Sequence, residues 1–158
     1  MVDTDDAVIG TVRRAVMRRN RLRHRVTFVV VRACDGRILV HRRSDAKDVW
    51  PGRWDLAVGG VVTAGESYDV AAVRELAEEV GVSGVALTPL GAGRYEDDDV
   101  RIVARLYEAV CDGPFTFADG EVVEACFVTL DELHDRLAVD SFVPDSVALL
   151  VPLLSDRP

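Results

Sequence analysis

The sequence predicts a mixed α+β (α/β) domain built on a mixed sheet. Three observations carry that expectation. Short β-branched runs outnumber helical stretches, an Asp-Gly pair joins two of those runs, and one stretch of helical spacing is bounded by Ser67 and Gly81. At 158 residues, 49% of them hydrophobic, the chain is long enough to bury one core, and residues 1–158 are read as a single domain.

In chain order, residues 7–20 (AVIGTVRRAVMRRN) read as a short amphipathic element leading into the strand RVTFVVVRA. Asp35-Gly36 turns this strand into RILVHRR as a hairpin. The loop SDAKDVWPGRW follows, with Pro51-Gly52 as its turn, and DLAVGGVV runs from strand into a Gly-rich turn. A helix is expected over Ser67–Val80: Ser67 caps it, Asp69 suits its positive first turn, and Gly81 stops it. Val70, Val73, Leu76, Ala77 and Val80 are expected to pack on the sheet, with the glutamates of this helix on the opposite side. GVALTPLGAGRYE and VRIVARLYEAV form a strand pair around the acidic turn EDDD at 96–99, which is expected to be solvated. EVVEACFV is the last strand. TLDELHDRL, begun by Thr129 or Asp131, and VPDSVALLVPLL are the last helices.

Charge narrows the functional classes. The net charge is −8, yet residues 1–53 carry +7 and residues 54–158 carry −15. An acidic whole argues against a general nucleic-acid binder, while a basic first third beside an acidic remainder suits an anionic ligand held through bridging cations. The N-terminus has no apolar run of signal-peptide type, and no run is long enough to span a bilayer. Cys34, Cys111 and Cys126 form no CxxC pair; they are expected to be reduced, buried small hydrophobes in a cytoplasmic protein. No GxSxG or HExxH motif is present, so neither a serine nucleophile nor a zinc site is expected.

Glu75, Glu78 and Glu79 fall on one helical face at spacings where like charges repel by about 0.2–0.5 kcal/mol per pair. A solvated face explains them if nothing else stands nearby. A Gly-rich turn directly before the helix changes the odds, because oxygen-rich clusters of negative charge are what Mg²⁺ requires.

The full pattern resembles a known family. Gly60, Glu66 seven residues before the helix core, and then Arg74-Glu75-Leu76-Ala77-Glu78-Glu79-Val80-Gly81-Val82 match the signature of the Nudix hydrolases. The resemblance implies a Nudix-type α/β/α sandwich in which the signature forms a loop–helix–loop. It implies Mg²⁺ (or Mn²⁺) as cofactor, held by Glu75 and Glu79, by Glu78 directly or through water, and by the Gly60 carbonyl. Arg74 and Glu66 would be structural support. Water would attack a diphosphate linked to another group, with Glu78, Glu79 and Glu121 as the catalytic carboxylates; Glu121, which leads a strand after a Gly turn, would be the group that activates water, in preference to Glu124.

HRRSDAKDVWPGRWD is similar to the isopentenyl-diphosphate isomerase-like branch, which implies phosphate binding by Arg42, Arg43 and Lys47. Hydrolysis is nonetheless expected over isomerisation. The isomerases carry a catalytic Cys where this chain has Gly59 and a metal-binding His where it has Val61, and of their metal histidines only His24 has a counterpart here. A non-catalytic diphosphate-binding domain is the third reading. The expected partner is a small organic diphosphate, with a homodimer as an allowed state and neither nucleic acid nor membrane involved.

Overall fold

The strand His24–Arg32 (β1) is buried on both sides because its apolar residues do not alternate with polar ones. Val26, Phe28 and Val30 enter one core cluster, while Val29 and Val31 enter another across the sheet. The computed structural model describes residues 1–118 and 120–155. Within them, seven strands form one mixed sheet with four helices. After α1 (Arg14–Arg19) and β1 come β2 (Ile38–Arg43), β3 (Trp54–Asp55), β4 (Val58–Val61) and α2 (Tyr68–Val80). β5 (Leu87–Glu96), β6 (Arg101–Val110), β7 (Val122–Val128), α3 (Leu130–Val139) and α4 (Pro144–Ser155) complete the order.

β6 runs parallel to β1 along its whole length and hairpins with β5. On the other edge of β1 two strands share the space. The Asp35-Gly36 turn forms as expected, with Gly36 at φ 92°, but β1 and β2 pair only at Arg32 and Ile38. β4 then occupies the same edge, pairing from Val26–Val61 to Val29–Val58, while β2 departs to join β7 and β3. The loop between β2 and β3 therefore faces β4 across a divide, and this divide becomes the cleft. α2 covers one face of the sheet through Ala72, Leu76 and Val80; Leu133 of α3 and Leu150 and Leu154 of α4 fill the other. The three layers and the mixed sheet match the fold class expected from the sequence.

Some local expectations need correction. Only Arg14–Arg19 of the first amphipathic stretch is helical. The preceding segment is instead folded against the body, with the Met1 amino group donating to the Gly10 carbonyl and Arg25 donating to Asp6. Cys34 and Cys126 are exposed and Cys111 is half-buried, so the cysteines are not core hydrophobes. The packing face of α2 is also shifted. Val70, Val73 and Ala77 face solvent, whereas Ala71, Ala72, Glu75, Leu76, Glu79 and Val80 are buried. The alanines let the helix lie close to the sheet, and the rotation brings two carboxylates inward with Leu76. No helix among the described residues is long and apolar enough to cross a membrane.

Candidate active site

α2 begins where the Ser67 side chain accepts from the Val70 amide and ends at Gly81, whose left-handed conformation lets Val82 N bond back to the Leu76 carbonyl. Between these stops, Glu75 and Glu79 lie one turn apart against β4. Glu79 is 3% exposed and Glu75 9%, while Glu78 is exposed. The two glycines of β4 make the close approach possible. A Cβ built on Gly60 would sit 2.5 Å from Glu75 Oε1, and one on Gly59 would run into the Thr27 carbonyl oxygen of β1. Gly59 N donates to Glu79 Oε2 at 3.4 Å. The second clash also means that a cysteine at position 59, as in the isomerases, would not fit this backbone.

Arg74 fastens the loop before α2 to the helix. Its Nε and Nη2 donate to the two oxygens of Glu66 at 3.0 Å each, Nη2 also reaches the Val61 carbonyl, and Nη1 donates to Glu75 at 2.7 Å and Glu78 at 3.0 Å. Glu66 Oε2 in turn accepts from Thr63 N. The helix face that looked purely repulsive in sequence thus has one cation shared between two of its carboxylates, Glu75 and Glu78, and Glu66 of the preceding loop.

A second cation serves the deeper side. Ser44 N donates to the Glu121 carbonyl and Lys47 N to the Ser44 carbonyl, so the loop after β2 and the start of β7 are tied together. Lys47 Nζ then donates to Glu79 Oε1 at 3.2 Å and contacts Glu121 Oε2. Glu124 lies apart, on the outer side with Arg42, 3.9 Å away. Arg43 lines the cleft, donating to the Val49 carbonyl and pairing with buried Asp55 at 3.6 Å. Arg42, its neighbour in the expected phosphate grip, does not line the cleft. As neighbours on one strand, the two side chains point to opposite faces of the sheet and so to different surroundings.

Burial is the first influence on these carboxylates. It raises the pKa of Glu75 and of Glu79, against the opposing effects of Arg74 on the former and Lys47 on the latter. Burial is the largest influence on Glu121 and pushes it the same way, but the hydrogen bond and charge of Lys47, with the hydrogen bond to Glu79, together outweigh it and hold that carboxyl low. Among the described residues no three His, Cys, Asp or Glu side chains converge tightly enough to form a metal site as they stand. The oxygen donors nevertheless suit a hard cation: two buried carboxylates and a third shared through Arg74, with the Lys47 ammonium showing that the space between Glu79 and Glu121 already accommodates positive charge.

The cleft has a volume of about 960 Å³ and reaches well past these groups. Its other end is walled by Arg14 and Arg18 of α1, His24, Phe28, Trp50, Asp55 and Asp145. Sequence reasoning missed Arg14, Arg18, Asp55 and Asp145 as site residues. The i, i+4 spacing of the two arginines in a basic run was the one available signal. Asp145 is buried, accepts from Ser146 N at 2.7 Å, and has its pKa raised to about 7 by burial and then by Asp55.

Comparison with known proteins places this geometry in context. Residues 22–148 match the NUDIX domain model. The Nudix hydrolase YfcD of Salmonella typhi is 41% identical over 150 residues, spanning 95% of this chain and 80% of the relative. The Nudix hydrolase SCO1686 of Streptomyces coelicolor is 41% identical over 159 residues, spanning 99% of this chain and 88% of that one. The crystal structure of DR0079 from Deinococcus radiodurans superposes with a TM-score of 0.80 at 26% identity, covering 98% of this chain and 94% of the other.

Proposed function

This chain belongs to the Nudix hydrolase family, and from that premise we propose that it hydrolyses the diphosphate bond of a small organic diphosphate, a nucleoside diphosphate-linked compound among them, with Mg²⁺ or Mn²⁺ as cofactor. It is an enzyme of the pyrophosphohydrolase class. The observation that carries the finer reading is the meeting of Glu75 and Glu79 from α2 with Lys47 and Glu121 from two distant loops in one cleft.

Glu75, Glu79, Glu78 and the Gly60 carbonyl are the groups that would hold the divalent cation, which supplies charge neutralisation and polarises oxygen when bound. The chain's own residues do the rest. Glu121, ionised at neutral pH because Lys47 holds its pKa low, accepts a proton from water. The water oxygen bonds to phosphorus as the bridging P–O bond breaks, and the leaving phosphate oxygen departs with the electron pair. Lys47 and Arg43 balance the charge of the phosphates from the cleft wall, and Arg74 keeps the carboxylate loop and helix in register. The cytoplasm is the proposed setting.

A panel of diphosphate compounds assayed for phosphate release with Mg²⁺, Mn²⁺ or chelator tests this reading. Turnover that needs a divalent cation is expected. Glu121→Gln should lower kcat about 10²-fold or more, and Glu124→Gln by much less. Equal, small effects would place the base elsewhere.

A further inference from the structure

Two buried side-chain nitrogens that lack a hydrogen-bond partner line this same cleft, His24 Nε2 and Arg43 Nε, and a third, Arg18 Nε, has only a long ion pair with Asp48 Oδ2 at 3.5 Å. Buried polar atoms are ordinarily paired, so two unpaired in one wall point to a partner that arrives from outside the chain. His24 is the most telling. It is 5% exposed, and its Nδ1 lies 2.8 Å from the Leu22 carbonyl. A carbonyl only accepts, so Nδ1 carries the proton and Nε2 presents a bare lone pair. Arg18, the N-terminal amino group and Arg14 all act on the ring as positive charges, which makes a metal ion a poor match for that lone pair. A neutral N–H or O–H donor is a good one.

The lining of the cleft also includes the buried apolar side chains Met17, Val26, Phe28 and Ile102. Asp145 adds a carboxyl at the same end, near Arg18 and Arg43. We propose that His24 and Arg18, with Arg43 where this end of the cleft meets the phosphates, form a specificity subsite for the non-phosphate group of the substrate, taking a group that carries an N–H or O–H donor beside a carbonyl- or ether-type acceptor. The donor faces His24 Nε2, and the acceptor faces the arginine Nε groups. This rests on the hydrolase reading above and extends it. A hydrocarbon diphosphate would leave His24 Nε2 and Arg43 Nε unmet and is selected against. A nucleobase and a hydroxylated sugar both carry the required chemistry.

The test compares kcat/KM for nucleoside diphosphate-linked, sugar-linked and geranyl diphosphates in the parent, His24→Phe, His24→Gln and Arg18→Met. The parent is expected to favour one polar class over geranyl diphosphate, and which class leads identifies the source of the donor. His24→Phe keeps a ring but no acceptor and should cut that preference about tenfold, chiefly through KM. His24→Gln offers an acceptor oxygen and should retain most of it. Arg18→Met should act in the same direction as His24→Phe and covers the case in which the latter does not fold. An unchanged preference in both, or a parent that favours the hydrocarbon, overturns the subsite while leaving the hydrolase intact. If the parent cleaves no diphosphate, the hydrolase reading fails. The subsite is then judged by the imidazole nitrogen resonances of His24 on adding a nucleoside monophosphate and, separately, a sugar phosphate: a shift of Nε2 with either supports it, and no shift with both overturns it.

Discussion

Two acidic clusters of similar charge meet different fates in this molecule. Glu75, Glu78 and Glu79 lie along α2, and Glu96, Asp97, Asp98 and Asp99 lie along the turn between β5 and β6. The turn carboxylates stay at the surface and are used locally. Asp97 accepts from the amides of Asp99 and Val100 at 2.8 Å, Asp99 accepts from Trp50 Nε1, and Glu96 pairs with Arg23 and Arg101. Two of the helix carboxylates are instead buried, against a strand whose glycines yield the space. Burying a charge costs several kcal/mol even after relaxation, so a fold does this only where counter-charge or function compensates. Acidity in a run therefore says little, and acidity that is buried says much.

The sharpest way to break the comparison is to neutralise one member of each cluster. Glu79→Gln should lower turnover about 10²–10³-fold, and its metal-free melting temperature should hold or rise because repulsion with Glu75 is relieved. Asp98→Asn, on a fully exposed side chain, should change neither. Full activity in Glu79→Gln on a verified substrate would falsify the metal and catalytic assignment together.

Lys47→Met probes the counter-charge. Without the ammonium, Glu79 is left buried and uncompensated, a loss of about 3 kcal/mol in the absence of metal. Saturating Mg²⁺ should recover much of it, since a ligand at 100 times its Kd contributes about 2.7 kcal/mol. Thermal unfolding with chelator and with Mg²⁺ separates the two states. An equal drop in both would show that Lys47 holds the loop and does not balance the carboxylate.

Asp145 extends the rule to a third buried carboxylate, through pH. Its pKa is raised by burial, then by Asp55, to about 7, so between its ordinary value near 3.8 and 7 the folded chain binds more protons than the unfolded one. Stability from this group is present at low pH and is lost as pH rises through that window, at roughly 1.4 kcal/mol per unit for a fully shifted group. Asn cannot titrate. Asp145→Asn should therefore match the parent near pH 4 and exceed it by about 4 kcal/mol near pH 8 in denaturant unfolding. A difference that is flat with pH would show the carboxyl to be ionised throughout.

The same contrast explains what could be read in the sequence. The strands, the hairpin at Asp35-Gly36, the capped helix from Ser67 to Gly81 and the glutamate spacing all depend on near neighbours, and all were legible. The inward side of α2 was not, because Val70 and Val73 are more apolar than Ala71 and Ala72 but lie outside the contact. The meeting of Lys47 with Glu121 joins residues 74 apart and follows from β2 pairing with β7 in place of β1. The parting of Arg42 from Arg43, by contrast, follows from strand alternation alone and could be read from their adjacency. Asp55 and Asp145 carry no motif at all; the path of α4 brings Asp145 to the cleft.

The smallest effect is expected in the exposed cluster, at Asp97. Its Oδ1 satisfies two turn amides and its Oδ2 accepts from the Tyr95 hydroxyl at 2.9 Å. These are local bonds of the kind that let Asp replace backbone pairing in a turn, each worth about 1 kcal/mol or less net because water competes for the same groups. Asp97→Ala should then lose about 1 kcal/mol in denaturant unfolding, with kcat and KM unchanged, while Asp97→Asn keeps an acceptor oxygen and should lose less. The hairpin is nevertheless not remote from the cleft, since Asp97 adds to the field felt by Asp145 and Trp50 of the cleft wall is held by Asp99. If Asp97→Ala changes KM severalfold at unchanged Mg²⁺ dependence, the turn feeds the far end of the cleft, and the division between a working cluster and a structural one has to be redrawn there.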